Sequence, residues 1–169
     1  MKRSFFGSLA ALGVLAAAGL GLAGCANEPT RVQPGTTAAE TLQRLGAPTG
    51  RYPLNNGGER LQYSRMPAGF EVTDIDVDAA GKVVSVTQVL NEARFGHDIK
   101  VDQWRQNDVV AFYGRPYEIT RVSSFDGAVW TWRYKAVNER RLLSIYIDPT
   151  GVVRRYHTGD DLALDRIRD

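Results

Sequence analysis

The chain has 169 residues, with 21 Lys and Arg against 19 Asp and Glu, and a single cysteine. Lys2 and Arg3 lie in the first 24 residues, so the remaining 145 residues carry 19 basic and 19 acidic side chains. This balanced charge excludes nucleic-acid binding, which leaves a basic electrostatic footprint. One cysteine excludes a disulfide-stapled scaffold.

Residues 1–24 have the parts of a bacterial export signal. Two cations precede an almost uninterrupted apolar run, residues 5–22. A positive start, an apolar centre and small residues before a cleavage point are typical of a secretory signal. The run is also long enough to be a membrane-spanning helix. Its four glycines and the absence of a charged flank after it favour the signal peptide.

The segment ends in Leu22-Ala23-Gly24-Cys25, which resembles a bacterial lipobox. The resemblance implies that Cys25 carries a diacylglycerol and an N-acyl lipid once the signal is cleaved. Two or three acyl chains anchor a protein stably, whereas one chain does not. Ala26 follows the cysteine in place of Asp, as in lipoproteins that are passed to the outer membrane. We therefore expect a lipid-anchored protein on the periplasmic face of the outer membrane, with no other cofactor.

Residues 25–35 combine the lipidated cysteine with a predicted tether. Two prolines, several polar residues and no apolar periodicity favour an extended chain of about 3 Å per residue, or roughly 30 Å of reach. The globular part is predicted to begin at residue 36.

The remaining chain shows an internal duplication. Segments 45–48, 58–63 and 78–84 are matched by segments 113–116, 127–132 and 148–154, at offsets of 68, 69 and 70 residues. The constant order indicates a repeated unit with small loop insertions, and chance agreement of common turn residues is the alternative. We assign a first α+β module to residues 36–90, a connector to 91–106, a second α+β module to 107–158 and a C-terminal tail to 159–169.

Each unit is predicted to begin with a short helix. In the first unit, Thr37 and Glu40 have the spacing of a capping box. Gly46 and the proline two residues later mark the end of this helix. In the second unit, Asn107 is the predicted N-cap and Gly114 the matching stop.

Three antiparallel strands are predicted to follow each helix, because apolar residues then recur with a period of two. The first-unit strands contain Leu61 and Tyr63, then Ile75 and Val77, then Val84 and Val86; those of the second unit cover 129–135, 142–148 and 152–157. The predicted fold class is therefore α+β, with two tandem modules that each pack one short helix on a three-stranded antiparallel sheet.

Few residues are suited to catalysis or to metal binding. We interpret His97 as a turn residue and His157 as the end of a strand. Asp74, Asp76 and Asp78 alternate as in a calcium site, but Ala79 and Ser85 stand where an EF-hand needs Gly and Glu. We interpret Asp78 and Asp148 as turn initiators, Asp74 and Asp76 as a solvated face, and Asp160 and Asp161 as a helix cap. The sequence predicts no catalytic residue, no metal site, no small-molecule substrate and no enzyme.

Trp130, Trp132 and Tyr134 alternate along one predicted strand and so share a sheet face. One interpretation places the three rings in the core beneath the second helix. The other makes them an open aromatic surface that binds a protein partner together with Arg133, because Trp, Tyr and Arg dominate interface energetics.

Residues 34–48, which end in Leu45-Gly46-Ala47-Pro48, resemble the opening of the SmpA/OmlA (BamE-like) outer-membrane lipoprotein family. Residues 108–116 echo this motif, and residues 129–134 and 147–153 are similar to the family's strand and turn motifs. The second unit lacks the family's Gly-Met-Thr opening, and the departure from the family is the duplication itself, since the founder has a single module. The tandem arrangement resembles that of β-lactamase inhibitor protein.

The resemblance implies a non-enzymatic binding or scaffold component of cell-envelope assembly, since the family's founder assists insertion of β-barrel proteins. Expected partners are the membrane, through the lipid, and an envelope protein, with the β-barrel assembly machinery as one candidate. The alternative is a periplasmic protein-binding or inhibitor module that uses a concave aromatic sheet face.

Overall fold

A computed structural model describes residues 27–137 and 139–161. The predicted signal peptide, the lipobox residues Leu22, Ala23 and Gly24, and Cys25 itself lie outside the described residues, as does most of the predicted tail. None of the helices in the described part has the length and apolar character that a membrane crossing requires.

The described chain forms two four-stranded antiparallel sheets and three α-helices. A 3-10 helix at Pro29–Arg31 precedes α1 (Ala38–Leu45), β1 (Gly50–Pro53), β2 (Glu59–Ser64), β3 (Val72–Val77) and β4 (Val83–Gln88). Then come α2 (Glu92–Asp98), α3 (Gln106–Tyr113), β5 (Glu118–Thr120), β6 (Ala128–Ala136), β7 (Glu139–Ile147) and β8 (Val153–Asp160). Strands β1 to β4 form the first sheet and β5 to β8 the second, each in sequence order.

The predicted fold class of one helix on three strands per module is wrong, because each sheet has a fourth strand. The additional strands β1 and β5 are four and three residues long and lie at a sheet edge. Strands this short show no apolar alternation, so the sequence pattern could not reveal them. The predicted connector also contains a helix, α2, which begins where the Asn91 side chain accepts a hydrogen bond from the amide of Ala93.

The predicted start of α1 is confirmed. The Thr37 amide donates to Glu40 Oε2 at 2.8 Å, and the Glu40 amide donates to Thr37 Oγ1 at 3.1 Å. These reciprocal bonds are a capping box. Gly46 ends the helix at a φ of +80°, a backbone conformation open almost only to glycine.

Helix α3 begins differently from the prediction. Its N-cap is Arg105 and not Asn107, because the Asp108 carboxylate accepts the Arg105 amide at 2.7 Å. An acidic side chain in the first turn satisfies an orphan donor and complements the helix dipole. The predicted stop is confirmed, since Gly114 follows the helix with a φ of +68°.

Asp78 and Asp148 initiate turns, as predicted. Asp78 Oδ1 accepts the amides of Ala80 and Lys82 at 2.9 and 2.8 Å. Asp148 Oδ1 accepts the amides of Thr150 and Val152 at 2.9 and 3.0 Å. The bonds from the Val152 amide and the Thr150 hydroxyl hold the pKa of the Asp148 carboxyl well below its usual range.

The expected extended tether does not describe residues 28–35. Val32 is only 2% exposed and belongs to the first core, with Leu61 and Ile75. The Gly35 amide donates to the carbonyl of Val83 at 2.8 Å. The segment before α1 is therefore packed onto the first sheet.

Helix α3 lies between the two sheets. Gln62 projects from the face of the first sheet opposite α1, and its Nε2 is 3.3 Å from the carbonyl of Phe112. Trp132 of the second sheet donates to the carbonyl of Tyr113 at 3.0 Å. The layers therefore follow the order α1, first sheet, α3 and second sheet, and the last layer has one face turned away from the helices.

Candidate functional site

The three aromatic rings predicted from the sequence lie in the core. Trp130 is 6% exposed, and Trp132 and Tyr134 are fully buried. The Tyr134 hydroxyl donates to Glu92 Oε2 at 2.9 Å, which ties β6 to α2. Burial and its hydrogen bond with α2 raise the pKa of Tyr134. The structure supports the core interpretation, since these rings are covered by the helices.

The opposite side of the same strand points away from the helices. Thr131, Arg133 and Lys135 alternate with the buried rings, as the period of two requires. The register aligns Thr131 with Ser144 and His157 across three strands. We call this surface the outer face; the register places on it Glu118, Thr120, Val129, Thr131, Arg133, Lys135, Arg140, Leu142, Ser144, Tyr146, Arg155, His157 and Gly159.

Arg155 is fixed above two aromatic rings at one end of the outer face. Its guanidinium carbon is 4.0 Å from the centre of the Tyr146 ring and 5.7 Å from that of Phe125. The two rings meet edge to face, with centres 5.2 Å apart. Cation–π contacts of this kind hold an arginine in one orientation while its N–H groups stay accessible.

A third aromatic ring, that of Phe70, supports the cations at the other end of the outer face. Phe70, from the β2–β3 loop, has its ring centre 4.7 Å from Arg133, 5.4 Å from Lys135 and 5.3 Å from Arg140. Arg133 also lies 5.0 Å from the ring centre of Tyr117. A residue of the first half of the chain therefore organises the outer face of the second sheet.

The tail that Asp160 and Asp161 are predicted to cap lies outside the described residues, but both side chains form ion pairs within them. Asp160 is the last residue of β8, and its carboxylate pairs with Arg141 at 2.9 Å. Asp161 is buried at its side chain and pairs with Arg133 at 2.7 Å. Asp161 therefore neutralises one cation of the outer face.

The outer face remains positively charged, because two carboxylates, Glu118 and the paired Asp161, stand against four cations: Arg133, Lys135, Arg140 and Arg155. Within residues 27–137 and 139–161, no carboxylate forms an ion pair with Lys135, Arg140 or Arg155. All three side chains are exposed. A fixed cationic surface favours acidic partners, because complementary charge speeds encounter and penalises wrong partners.

The expected solvated face at Asp74 and Asp76 is wrong for Asp74, which is 1% exposed. Asp74 Oδ1 accepts from Gln62 Nε2 at 3.1 Å, and Oδ2 lies 3.1 Å from Arg60 Nη1 without making a hydrogen bond. Arg60 instead donates to both oxygens of Asp76, at 2.7 and 3.0 Å. Burial raises the pKa of Asp74 to about 7 against the opposing influence of Arg60.

This buried cluster joins the two halves of the chain. Gln62 bonds to α3, and the Arg60 guanidinium carbon lies 5.2 Å from the ring centre of Phe112 in the same helix. A raised carboxyl pKa is often a sign of an active site. Here the carboxyl is covered by packing, so the cluster is a structural junction. The sequence pattern missed it because the pattern does not show that α3 covers the second face of this sheet.

The two histidines are not part of such a cluster. His97 lies in α2 and not in the predicted turn; its Nδ1 is 2.9 Å from Asp98 Oδ1. His157 lies within β8 on the outer face, with its ring centre 5.4 Å from that of Tyr146. In the described part of the chain, no group of three His, Cys, Asp or Glu side chains is arranged to hold a metal ion.

Two open clefts flank the sheets. One, of about 410 Å³, is lined by polar side chains that include Gln106, Arg121 and Asp126, with Trp130 at its wall. The other, of about 460 Å³, lies at the end of α1 and is lined by Leu42 and Pro48 among others. Both clefts are open to solvent, whereas small-ligand sites bury most of the ligand's surface.

Comparisons with known proteins give this chain no family. No protein-family model matches the sequence, and no curated protein matches it. A cysteine-rich secretory protein from Staphylococcus aureus subsp. aureus Mu50 aligns in structure at 12% identity and a TM-score of 0.27, over 79% of this chain and 47% of the other. This chain therefore spans about half the length of that protein, and a similarity this low supports no inference about fold or function.

Proposed function

We propose that this chain is a non-enzymatic lipoprotein of the outer membrane that binds envelope proteins during outer-membrane protein assembly. The observation that carries the proposal is the cationic outer face of the second sheet, in which Arg155 is held against Tyr146. The lipobox that ends at Cys25 supports membrane attachment. Residues 34–48, with their resemblance to the SmpA/OmlA family, support the assembly role.

The outer face suits binding because it is rigid before a partner arrives. Strands β6 and β7 pair over nine residues and form the centre of a four-stranded sheet. The arginines are already held over aromatic rings, so little side-chain entropy is lost on association. Arg and Tyr are enriched at protein interfaces for their size and their accessible N–H and O–H groups.

The charge of the outer face points to an acidic protein surface as the partner. Lys135, Arg140 and Arg155 offer donors to carboxylates, and an arginine pairs with a carboxylate through two parallel hydrogen bonds. Thr131 and Ser144 lie between the cations and are buried, so the exposed Lys135, Arg140 and Arg155 are the groups that a partner meets first. A partner with carboxylates on a flat or gently convex surface would fit this arrangement.

Affinity purification from detergent-solubilised envelopes tests the proposal. We expect the tagged, lipidated chain to retain subunits of the β-barrel assembly machinery, and a matched chain with Arg155→Glu and Lys135→Glu to lose them. Arg154→Glu is the control, since Arg154 neighbours Arg155 in the chain but its side chain is held by ion pairs with Asp102 and Asp148. Recovery of a soluble periplasmic enzyme instead would favour an inhibitor, and equal recovery by all variants would contradict the role of the outer face.

A further inference from the structure

From Glu28 onward, the segment that joins the predicted lipid anchor to α1 is packed against the rest of the domain. The side chain of Val32 is buried in the first core, and the Gly35 amide is bonded to Val83. Glu28 is fixed as well, since its Oε2 pairs with Arg65 at 2.7 Å. The Glu28 carbonyl also accepts from Arg44 Nη2 at 3.5 Å.

These contacts place Glu28 at one corner of the domain. Arg44 lies in the last turn of α1, and Arg65 begins the loop between β2 and β3. Arg31 follows in the 3-10 helix, and all three arginines are exposed. We call these four residues, Glu28, Arg31, Arg44 and Arg65, the anchor corner.

Covalent geometry limits how far the anchor corner can lie from Cys25. Only Ala26 and Asn27 separate Cys25 from Glu28. A fully extended chain spans at most about 3.6 Å per residue, so the two Cα atoms are at most about 11 Å apart. The tether of roughly 30 Å expected from composition is thus shortened to about a third by the packing of residues 28–35.

We infer that the anchor corner rests against the lipid headgroups of the membrane that holds the Cys25 acyl chains. The inference rests on the proposed lipidation of Cys25. The arginines of the corner match the phosphates of lipid headgroups, which an arginine binds through paired N–H donors. Arg65 is partly neutralised by Glu28 and Glu71. The short covalent link to Cys25 therefore sets the distance between the domain and the membrane, and the arginines contribute to the orientation of the domain.

This placement orients the outer face. The β2–β3 loop runs from the anchor corner to the outer face, because Arg65 begins this loop and Phe70 of the same loop contacts Arg133 and Lys135. Arg155 lies at the other end of the outer face, beside Tyr146. The end that carries Arg155 is therefore the one turned away from the membrane.

Short-range fluorescence quenching tests the inference on the full, lipidated chain. Cys25 is the only cysteine and its thiol is consumed by lipidation, so an introduced cysteine is the only free thiol. Gln43→Cys on the exposed side of α1 and His157→Cys on the outer face are each labelled with bimane. The proteins are then reconstituted into vesicles whose phospholipids carry a nitroxide at the headgroup.

We expect several-fold stronger quenching at position 43 than at position 157. A flexible insertion of ten Gly and Ser residues between Ala26 and Asn27 leaves the described fold untouched and should abolish most of that difference. Equal quenching at the two positions in the chain without the insertion overturns the inference while leaving the anchor intact. A chain that takes up no lipid and stays out of the vesicles overturns both the anchor and the inference.

Discussion

The indole Nε1 of Trp132 donates a 3.0 Å hydrogen bond to the backbone carbonyl of Tyr113. The bond ties the centre of the second sheet to the last turn of α3, where helix carbonyls have no intrahelical partner. The bond lies on the side of β6 that packs against the helices. The rings occupy the helix-facing side, and the residues that alternate with them form the outer face.

Trp132→Phe removes this bond and leaves space in the core. We expect a loss of about 2–4 kcal/mol in the free energy of unfolding, from an unsatisfied buried carbonyl and a cavity. Urea unfolding followed by circular dichroism measures the loss. Trp104→Phe is the control, because Trp104 is half-buried at the rim of the same core and should cost less. Equal losses for the two variants would contradict the role given to the bond.

Gly114→Ala and Gly46→Ala separate backbone strain from packing. Both glycines have positive φ, which costs a residue with a side chain about 1–3 kcal/mol. A Cβ at Gly114 would lie 2.8 Å from Gln62 Oε1, whereas a Cβ at Gly46 meets nothing within 4 Å. We expect Gly114→Ala to be clearly less stable, because Gln62 is buried and bonded to α3. Matching melting temperatures would show that the junction between α3 and the first sheet is not tight.

Asp74 should make stability fall as pH rises. Its pKa goes from an ordinary value of 3.8 in the unfolded chain to about 7 in the folded protein, so the folded state binds more protons between these values. The free energy of unfolding should therefore decrease from pH 4 to pH 7, by at most about 4 kcal/mol.

Asp74→Asn should remove this decrease, and the difference between native and variant unfolding curves at several pH values measures it. Asp126→Asn, in an exposed loop, should leave the decrease in place. If Asp74→Asn keeps the full decrease in the free energy of unfolding, groups other than Asp74 cause that decrease.

Cys25→Ser should prevent lipidation. Serine lacks the thiolate that attacks the lipid donor, so the precursor should incorporate no labelled palmitate and should not be processed. Radiolabelled palmitate in growing cells measures this directly. Label that persists in the serine variant would refute the anchor.

The sequence predicts local structure well where one residue caps a helix, ends a helix or starts a turn. The start of α1 was predicted from Thr37 and Glu40, and the ends of two helices from Gly46 and Gly114. The turns were predicted from Asp78 and Asp148. Each of these side chains or glycines acts on the backbone next to it, so a local pattern is enough. The edge strands β1 and β5 were not predicted. They are defined by their pairing with β2 and β6, which side-chain periodicity does not show.

The candidate site was harder to predict than the fold. Alternation placed Trp130, Trp132 and Tyr134 on one face and Arg133 on the other, but periodicity cannot show which face a helix covers. Phe70 and Arg133 lie 63 positions apart in the chain, so no local pattern signals their contact. Asp74 was misjudged for the same reason, because α3 comes from the other half of the chain.

Position-specific photo-crosslinking in intact cells shows whether the outer face binds the assembly machinery. A photoreactive residue is placed in the lipidated chain either at Arg155 on the outer face or at Arg154, whose side chain pairs with Asp102 and Asp148. We expect a discrete adduct with a β-barrel assembly subunit from position 155 and none from position 154. An adduct from position 154 alone, or none from either position, would contradict binding through the outer face.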